Sequence, residues 1–327
     1  MPSLPGRRPL TLACGGYDIN RALLDGSVVP RGVDLTVIAL PSPERHARMV
    51  RHREFDICEL SMATYLSMIG AGDRSLVAVP AFPHRRFRHG YVFVREGSGV
   101  EAPADLGGRR IGLRTWQTTA GVWARGILQD DHGVDLRSIE WVTQDAEDAP
   151  ARHANGYRIG RVDGDATVIQ LLERGELDAL IYPQLPGGDD LLPGIRRLFG
   201  DPKSAEVDYA RRTGIFPIMH TVVIRRELLA AMPWLAREVL EAFRRSKDAA
   251  FATMRDPRSV SLAWLRETLD EQEALLGPDP WAYELDRSRT ALEAIIRYAA
   301  EQGLVPEPFP PEELFAQTTI GDLPTYV

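Results

Sequence analysis

Val33-Asp34-Leu35-Thr36-Val37-Ile38-Ala39-Leu40 runs directly into Pro41-Ser42-Pro43-Glu44, an apolar, β-branched strand followed by the serine and proline that open a helix. That helix reaches about Arg51, and Phe55-Asp56-Ile57-Cys58-Glu59-Leu60 behind it reads as a further strand. Upstream, Leu10 to Cys14 is a strand, and Tyr17 to Asp25 a helix closed by Gly26 in a left-handed cap. The order is βαβαβ. Parallel strands need such helical crossovers, which cover the faces of the sheet.

The same order returns in the second half. Arg110 to Leu113 reads as a strand, Thr119 to Gln129 as a helix and Ile139 to Thr143 as a strand. After an insertion come a helix from Ala166 to Arg174, closed by Gly175, and a strand from Leu180 to Tyr182. Individual residues echo: Arg53-Glu54-Phe55-Asp56-Ile57 resembles Gly175-Glu176-Leu177-Asp178-Ala179, and Gly32-Val33-Asp34-Leu35 resembles Gly133-Val134-Asp135-Leu136. Two such units predict a two-lobed α/β protein with its ligand cleft beyond the carboxyl ends of the strands. His89 to Arg95 and Ile215 to Arg225 read as two extended crossovers, giving lobes of residues 1–92 plus 222–327, and 93–221. Pro233 to Gly303 is a helical C-terminal extension, with Ser259 to Leu276 and Trp281 to Ala300 at helical spacing, and Pro306 to Val327 a proline-rich tail that wraps in order.

The 327 residues are 44% hydrophobic and carry a formal net charge of -7. That length buries a large core, and the acidic balance without a basic arm argues against a nucleic-acid partner. No apolar run approaches the roughly 20 residues of a membrane span, so no membrane partner is expected. Arg7 and Arg8 are not followed by an apolar signal core, which predicts a cytoplasmic protein. Cys14 and Cys58 sit in apolar strands as small buried hydrophobes. Zinc-type His and Cys spacings, glycine-rich phosphate loops and a Gly-x-Ser-x-Gly nucleophile turn are all missing, so no cofactor is expected. A divalent ion on scattered ligands and a homo-oligomeric state stay open.

Within this acidic chain, Phe82-Pro83-His84-Arg85-Arg86-Phe87-Arg88-His89-Gly90-Tyr91 concentrates three arginines and two histidines. A local cation cluster of this kind suits a small carboxylate ligand. On an extended chain Arg86 and Arg88 share a face and can form a carboxylate clamp, while Arg85 points away. His89 and His220, one on each crossover, are candidate proton carriers meeting across the cleft. Strand ends add Gly16 and Tyr17, Ser61 and Met62, and Gln117, Thr118 and Thr119 at a helix N-terminus whose amides favour an anion. For the two threonines, helix capping explains the residue type equally well. Tyr182 offers a hydroxyl from the second lobe, and His46, His52 and His84 read as ordinary surface or helix residues.

Leu12-Ala13-Cys14-Gly15-Gly16-Tyr17-Asp18, Met49-Val50-Arg51-His52-Arg53-Glu54-Phe55-Asp56, Phe87-Arg88-His89, Thr119-Ala120-Gly121-Val122-Trp123 and Ile215-Phe216-Pro217-Ile218-Met219-His220-Thr221 carry a family resemblance. It runs almost end to end, through Pro311-Glu312-Glu313-Leu314-Phe315-Ala316. Together these motifs resemble the 4,5-dihydroxyphthalate decarboxylase family. The resemblance implies a type II periplasmic-binding-protein-like fold used as an enzyme, removing one carboxylate from a dihydroxylated phthalate without a cofactor. It also implies an arginine shortly after the strand ending at Tyr182, where this chain has Pro183-Gln184-Leu185; if that arginine binds a substrate carboxylate, a different or less anionic acid stays open beside 4,5-dihydroxyphthalate. Decarboxylating an electron-rich ring needs a proton delivered to the carbon that loses its carboxylate. The residues alone leave two other classes open, a non-catalytic binding protein for a small carboxylate and a lyase or dehydratase on the same fold.

Overall fold

The computed structural model describes residues 7–150, 156–256 and 258–321. β1 (Arg8–Cys14) is followed by a 3-10 turn at Asp18–Asn20 and α1 (Arg21–Leu24), shorter than the helix expected from Tyr17 because the Asn20 side chain turns back to the Gly15 carbonyl. Then come β2 (Val33–Ala39), α2 (Ser42–His52), β3 (Ile57–Ser61), α3 (Met62–Gly70) and β4 (Leu76–Val79). The second unit contains β5 (Val92–Arg95), β6 (Arg110–Leu113), α4 (Thr119–His132), β7 (Glu140–Thr143), β8 (Arg158–Arg161), α5 (Val168–Glu173), β9 (Ala179–Ile181), β10 (Ile195–Arg197) and α6 (Pro202–Thr213). The chain returns through β11 (His220–Arg225) and ends in α7 (Arg226–Ala231), α8 (Leu235–Arg255), α9 (Leu265–Leu276) and α10 (Leu285–Glu301).

The strands form a five-stranded sheet ordered β2-β1-β3-β11-β4 and a six-stranded sheet ordered β10-β5-β9-β6-β7-β8. In each, the inner strands are parallel and the returning strand, β11 or β5, is antiparallel to its neighbours. The sequence echo has a physical counterpart. Asp56 accepts a hydrogen bond from the Thr11 amide at 2.8 Å, and Asp178 accepts one from the Arg110 amide at 3.0 Å, so each aspartate ties the entry of one strand to its parallel partner. Arg53 and Gly175, aligned in the echo, both adopt left-handed backbone, with φ of 51° and 75°.

The crossovers differ from expectation. His89–Tyr91 is a 3-10 turn, held where the Gly90 amide donates to Glu206 of α6, and Val92 already pairs with Ile181 in the second sheet. His220 and Thr221 pair with Ser61 and Leu60 in the first sheet. The connection is instead a narrow antiparallel ribbon between residues 84–86 and 217–220. In it the Arg86 amide donates to Pro217, and the His84 carbonyl accepts from the Met219 and His220 amides. Pro83 and Pro217 have no N–H to extend this ladder, which keeps it short.

The C-terminal extension straddles both units. Ala316 donates to the Ala78 carbonyl and Tyr65 to the Leu314 carbonyl, so the tail covers the outer edge of β4. Residues 322–327 of that tail lie outside the described residues. α10 packs on α4, where the Tyr298 ring meets Trp123 and its hydroxyl donates to Asp130 at 2.8 Å. Gln302 accepts from Arg125 at 2.7 Å and donates to the Val122 carbonyl. Among the described residues, no helix is long and apolar enough to cross a membrane.

Gly126 makes the approach of α10 to α4 possible, since a Cβ there would lie 2.4 Å from the Tyr298 ring. Gly126→Ala is expected to lower stability by about 1–3 kcal/mol through overpacking, read from denaturant titration. An unchanged midpoint would show that the helices can separate without loss.

Candidate active site

Glu59 lies in β3, fully buried among apolar neighbours. A carboxylate there needs a partner, and α2 provides one: Arg45, equally buried, reaches Glu59 at 3.0 Å. Arg45 faces the sheet because it sits one helical turn before Met49, which packs in the core. The other carboxylate oxygen accepts the Gly15 amide at 2.7 Å, and Nδ1 of His220 lies 2.5 Å from Glu59. β11 begins opposite Ser61, at the carboxyl end of β3, and this register brings His220 to the carboxylate. Glu59 Oε1 takes Nδ1 as its partner, and Nε2 is left for the cleft.

His220 is flanked by two more imidazoles, His46 at a ring-centroid distance of 4.9 Å and His84 at 4.7 Å. His46 and His84 are therefore part of the cluster, contrary to their expected role as ordinary surface or helix residues. Both had been separated from His220 by sequence, but α2 packs on β3 and the ribbon lies against β11. Burial, then the guanidiniums of Arg45 and Arg88, hold the His220 pKa well below the usual histidine range. Burial and the neighbouring His220 also depress His46, and bring His84 down to about 2.

These groups line a cavity of about 560 Å³ with walls from both sheets. Four arginines face it. Arg51 pairs with Asp148 at 3.3 Å and Arg114 with Asp145 at 2.7 Å. Arg86 and Arg88 have no carboxylate within ion-pair distance among the described residues. Arg86 donates to the Tyr91 hydroxyl at 2.7 Å. Arg88 is only 3% exposed, and its guanidinium meets the Met219 sulfur, a weak acceptor, while Nη1 has no partner. Burial and the adjacent Arg86 lower the Arg88 pKa to about 9. Arg85 turns the other way, donating to Phe216, Ala282 and Ser288.

The remaining candidates divide. Tyr17, Ser61, Thr118 and Thr119 line the cavity with Arg86, Arg88 and His220. The Thr118 hydroxyl bonds to Thr115 rather than capping α4, and Thr119 bonds across the cleft to Ser61 at 2.8 Å and to the Ala63 amide at 3.0 Å. Gly16 lines an adjoining recess of about 420 Å³ that shares Tyr17, Ser42, Pro43 and Gln184 with the main cavity. Met62 is in the core, Gln117 is spent on both polar groups of Ala149, and Tyr182 packs on the smaller apolar cluster of the second sheet. His89 does not meet His220: the 3-10 turn buries it between Phe199 and Tyr209, with centroids at 5.2 and 5.3 Å. Glu59, Arg45, Arg51, Asp145 and Asp148 went unrecognised in the sequence. A glutamate inside the run Ile57-Cys58-Glu59-Leu60 was the available signal, because a buried carboxylate demands a cation. Among the described residues, no group of three or more His, Cys, Asp or Glu is placed to hold a metal ion.

The imidazole cluster makes stability sensitive to acid. In the unfolded chain histidines titrate near ~6.5, so below that pH the unfolded state binds more protons than the folded one. The stabilisation is fully present above that value and is lost as pH falls toward the depressed folded values, about 2 for His84. Thermal melts between about pH 8 and about pH 4 should show a steeper acid-side decline in the parent than in His84→Gln. Parallel curves would mean that His84 is not held neutral by the fold.

No family model matches the chain. The solved structure of the periplasmic aliphatic sulphonate binding protein SsuA from Escherichia coli aligns over 95% of this chain and 98% of its own, with a TM-score of 0.55 at 17% identity, a likeness of fold. A 4,5-dihydroxyphthalate decarboxylase of Pseudomonas putida is 36% identical over 64% of this chain and 84% of its own length. A 4,5-dihydroxyphthalate decarboxylase of Comamonas testosteroni is 36% identical over 317 residues, covering 94% of this chain and 96% of its own. With that identity sustained over nearly its whole length, on a periplasmic-binding-protein-like fold, the chain belongs to the 4,5-dihydroxyphthalate decarboxylase family.

Proposed function

We propose that the chain is a cofactor-independent carboxy-lyase that removes one carboxylate, as carbon dioxide, from a dihydroxylated aromatic diacid of the 4,5-dihydroxyphthalate type. The observation that carries this reading is Arg88, a buried guanidinium without a carboxylate partner among the described residues, in the cavity lined by His220, whose Nδ1 rests on Glu59 behind it. Burying such a cation is costly until an anion completes it. A cavity of about 560 Å³ also falls in the range that encloses small ligands.

Arg88, with Arg86 beside it, receives the carboxylates and so brings that edge of the ring toward His220. In the free protein His220 is neutral because burial and the surrounding guanidiniums disfavour imidazolium. An arriving dianion offsets those positive charges and favours proton uptake at Nε2. The imidazolium, steadied by Glu59 at Nδ1, then gives its proton to the ring carbon that bears the leaving carboxylate. The carbon–carbon bond breaks, its electron pair returns to the ring, and carbon dioxide departs. One proton from solvent is consumed per turnover. The buried contact between the walls, Ser61 with Thr119 at 2.8 Å, keeps water from the reacting carbon on that side.

The test is release of carbon dioxide from 4,5-dihydroxyphthalate by the purified protein. His220→Asn should slow turnover by about 10²- to 10⁴-fold with a smaller effect on affinity. Arg88→Met should weaken binding by about 2–5 kcal/mol, and Arg86→Met by less, since its guanidinium is solvated. Tight binding of hydroxylated aromatic acids with no carbon dioxide released from any of them would replace the enzyme reading with that of a carboxylate-binding protein.

A further inference from the structure

The walls of the cavity differ in charge. On the first-sheet side Arg86 and Arg88 face the space without acids, whereas the second-sheet side contributes Asp145 and Asp148. A dihydroxylated aromatic diacid has the same polarity, with carboxylates on one edge of the ring and hydroxyls on the opposite edge. Seating the carboxylates on Arg88 turns the hydroxyls toward the aspartates, and ionised carboxylates can only accept the hydrogen bonds that hydroxyls offer.

The aspartates are not equivalent. Asp145 is occupied by Arg114 at 2.7 Å and by the Gln144 side chain at 3.2 Å. Asp148 is held through one oxygen by Arg51, at 3.3 Å from across the cleft, and its other oxygen has no hydrogen-bond partner among the described residues. Three buried polar atoms on the first-sheet side of the same cavity, Nη1 of Arg88, Nδ1 of His84 and Nε2 of His46, are without partners. The cavity thus presents a guanidinium N–H without an acceptor on one wall and, on the other, a carboxylate oxygen that no protein group occupies among the described residues.

Building on the decarboxylase reading of this site, we propose that Asp148 is the base that takes the proton from the hydroxyl para to the leaving carboxylate. Burial raises the affinity of its carboxyl for a proton, with Arg51 and Arg114 opposing and Asp145 adding to the rise, which suits a group that takes a proton up during turnover. As the proton moves to the free oxygen of Asp148, the ring oxygen becomes a carbonyl and the para carbon takes a proton from His220. Loss of carbon dioxide returns the bonding pair through the ring to that oxygen, which recovers its proton from Asp148. His220 ends neutral and is reprotonated from solvent. No oxidant or reductant is needed.

The experiment compares dissociation constants for 4,5-dihydroxyphthalate and for benzene-1,2-dicarboxylate, which keeps the carboxylates and lacks the hydroxyls, together with carbon dioxide release. The parent should bind the dihydroxylated acid more tightly. Asp148→Asn should lose that preference, bind the unhydroxylated acid at least as tightly as the parent does because Arg51 is released from its ion pair, and slow release by about a hundredfold or more. Arg51→Gln, which removes the ion pair but keeps the carboxylate, should retain the preference. Asp148→Glu should retain part of it, which keeps the question answerable if the asparagine variant folds poorly. An unchanged preference and rate in Asp148→Asn would overturn the proposal, as would Arg51→Gln behaving like Asp148→Asn, since the ion pair would then be the active element. A parent protein that binds neither acid and releases no carbon dioxide would instead overturn the decarboxylase reading, and this inference with it.

Discussion

Everything at the site hangs on the buried ion pair between Glu59 and Arg45. Both side chains are fully buried, and stripping one partner from such a pair typically costs about 3–5 kcal/mol because the other charge is left without compensation. The pair persists because its remaining hydrogen-bonding capacity is used. Arg45 donates to the Glu59 and Leu40 carbonyls, and Glu59 accepts the Gly15 amide and faces His220. One carboxylate thereby fixes α2, the loop after β1 and the start of β11 against β3. The Gly15 loop also sets Tyr17 at the cleft, since its ring folds back over Gly15 with no space for a Cβ, which would lie 2.4 Å away.

From this anchor the cavity's polarity follows. The ribbon carrying His84 and Arg86, with Arg88 just beyond it, lies against the strand that begins at His220, so imidazoles and unpaired guanidiniums collect on one wall. α4 and the loop after β7 build the other, with Thr118, Thr119 and the two aspartates. A ligand that is anionic at one edge and rich in hydroxyls at the other complements both walls at once. Its carboxylates would relieve the unfavourable burial of Arg88 and shift His220 toward the protonated state that the reaction uses.

The lobes were legible in the sequence because doubled βαβ patterning, left-handed caps and the repeated aspartates are local signals, and Asp56 and Asp178 do the same structural work in each sheet. The cleft was less legible. Arg86 and Arg88 followed from strand alternation, which holds where the ribbon is extended. It fails from Arg88 on, where ψ is -2° and the chain turns at His89–Tyr91, burying His89 away from the cavity. His46 and Arg45 are adjacent on α2, and only the packing of that helix shows that both turn inward. Asp145 and Asp148 occupy an irregular loop, where sequence periodicity carries no information about direction.

In this mechanism an anionic ligand drives protonation of His220. Calorimetric titration of a dihydroxylated aromatic diacid, repeated at one pH in two buffers of different ionisation enthalpy, measures that proton directly. The predicted result is an uptake approaching one proton per bound ligand near neutral pH, abolished in His220→Asn. Binding heats that do not depend on the buffer, or an uptake that survives in His220→Asn, would contradict it.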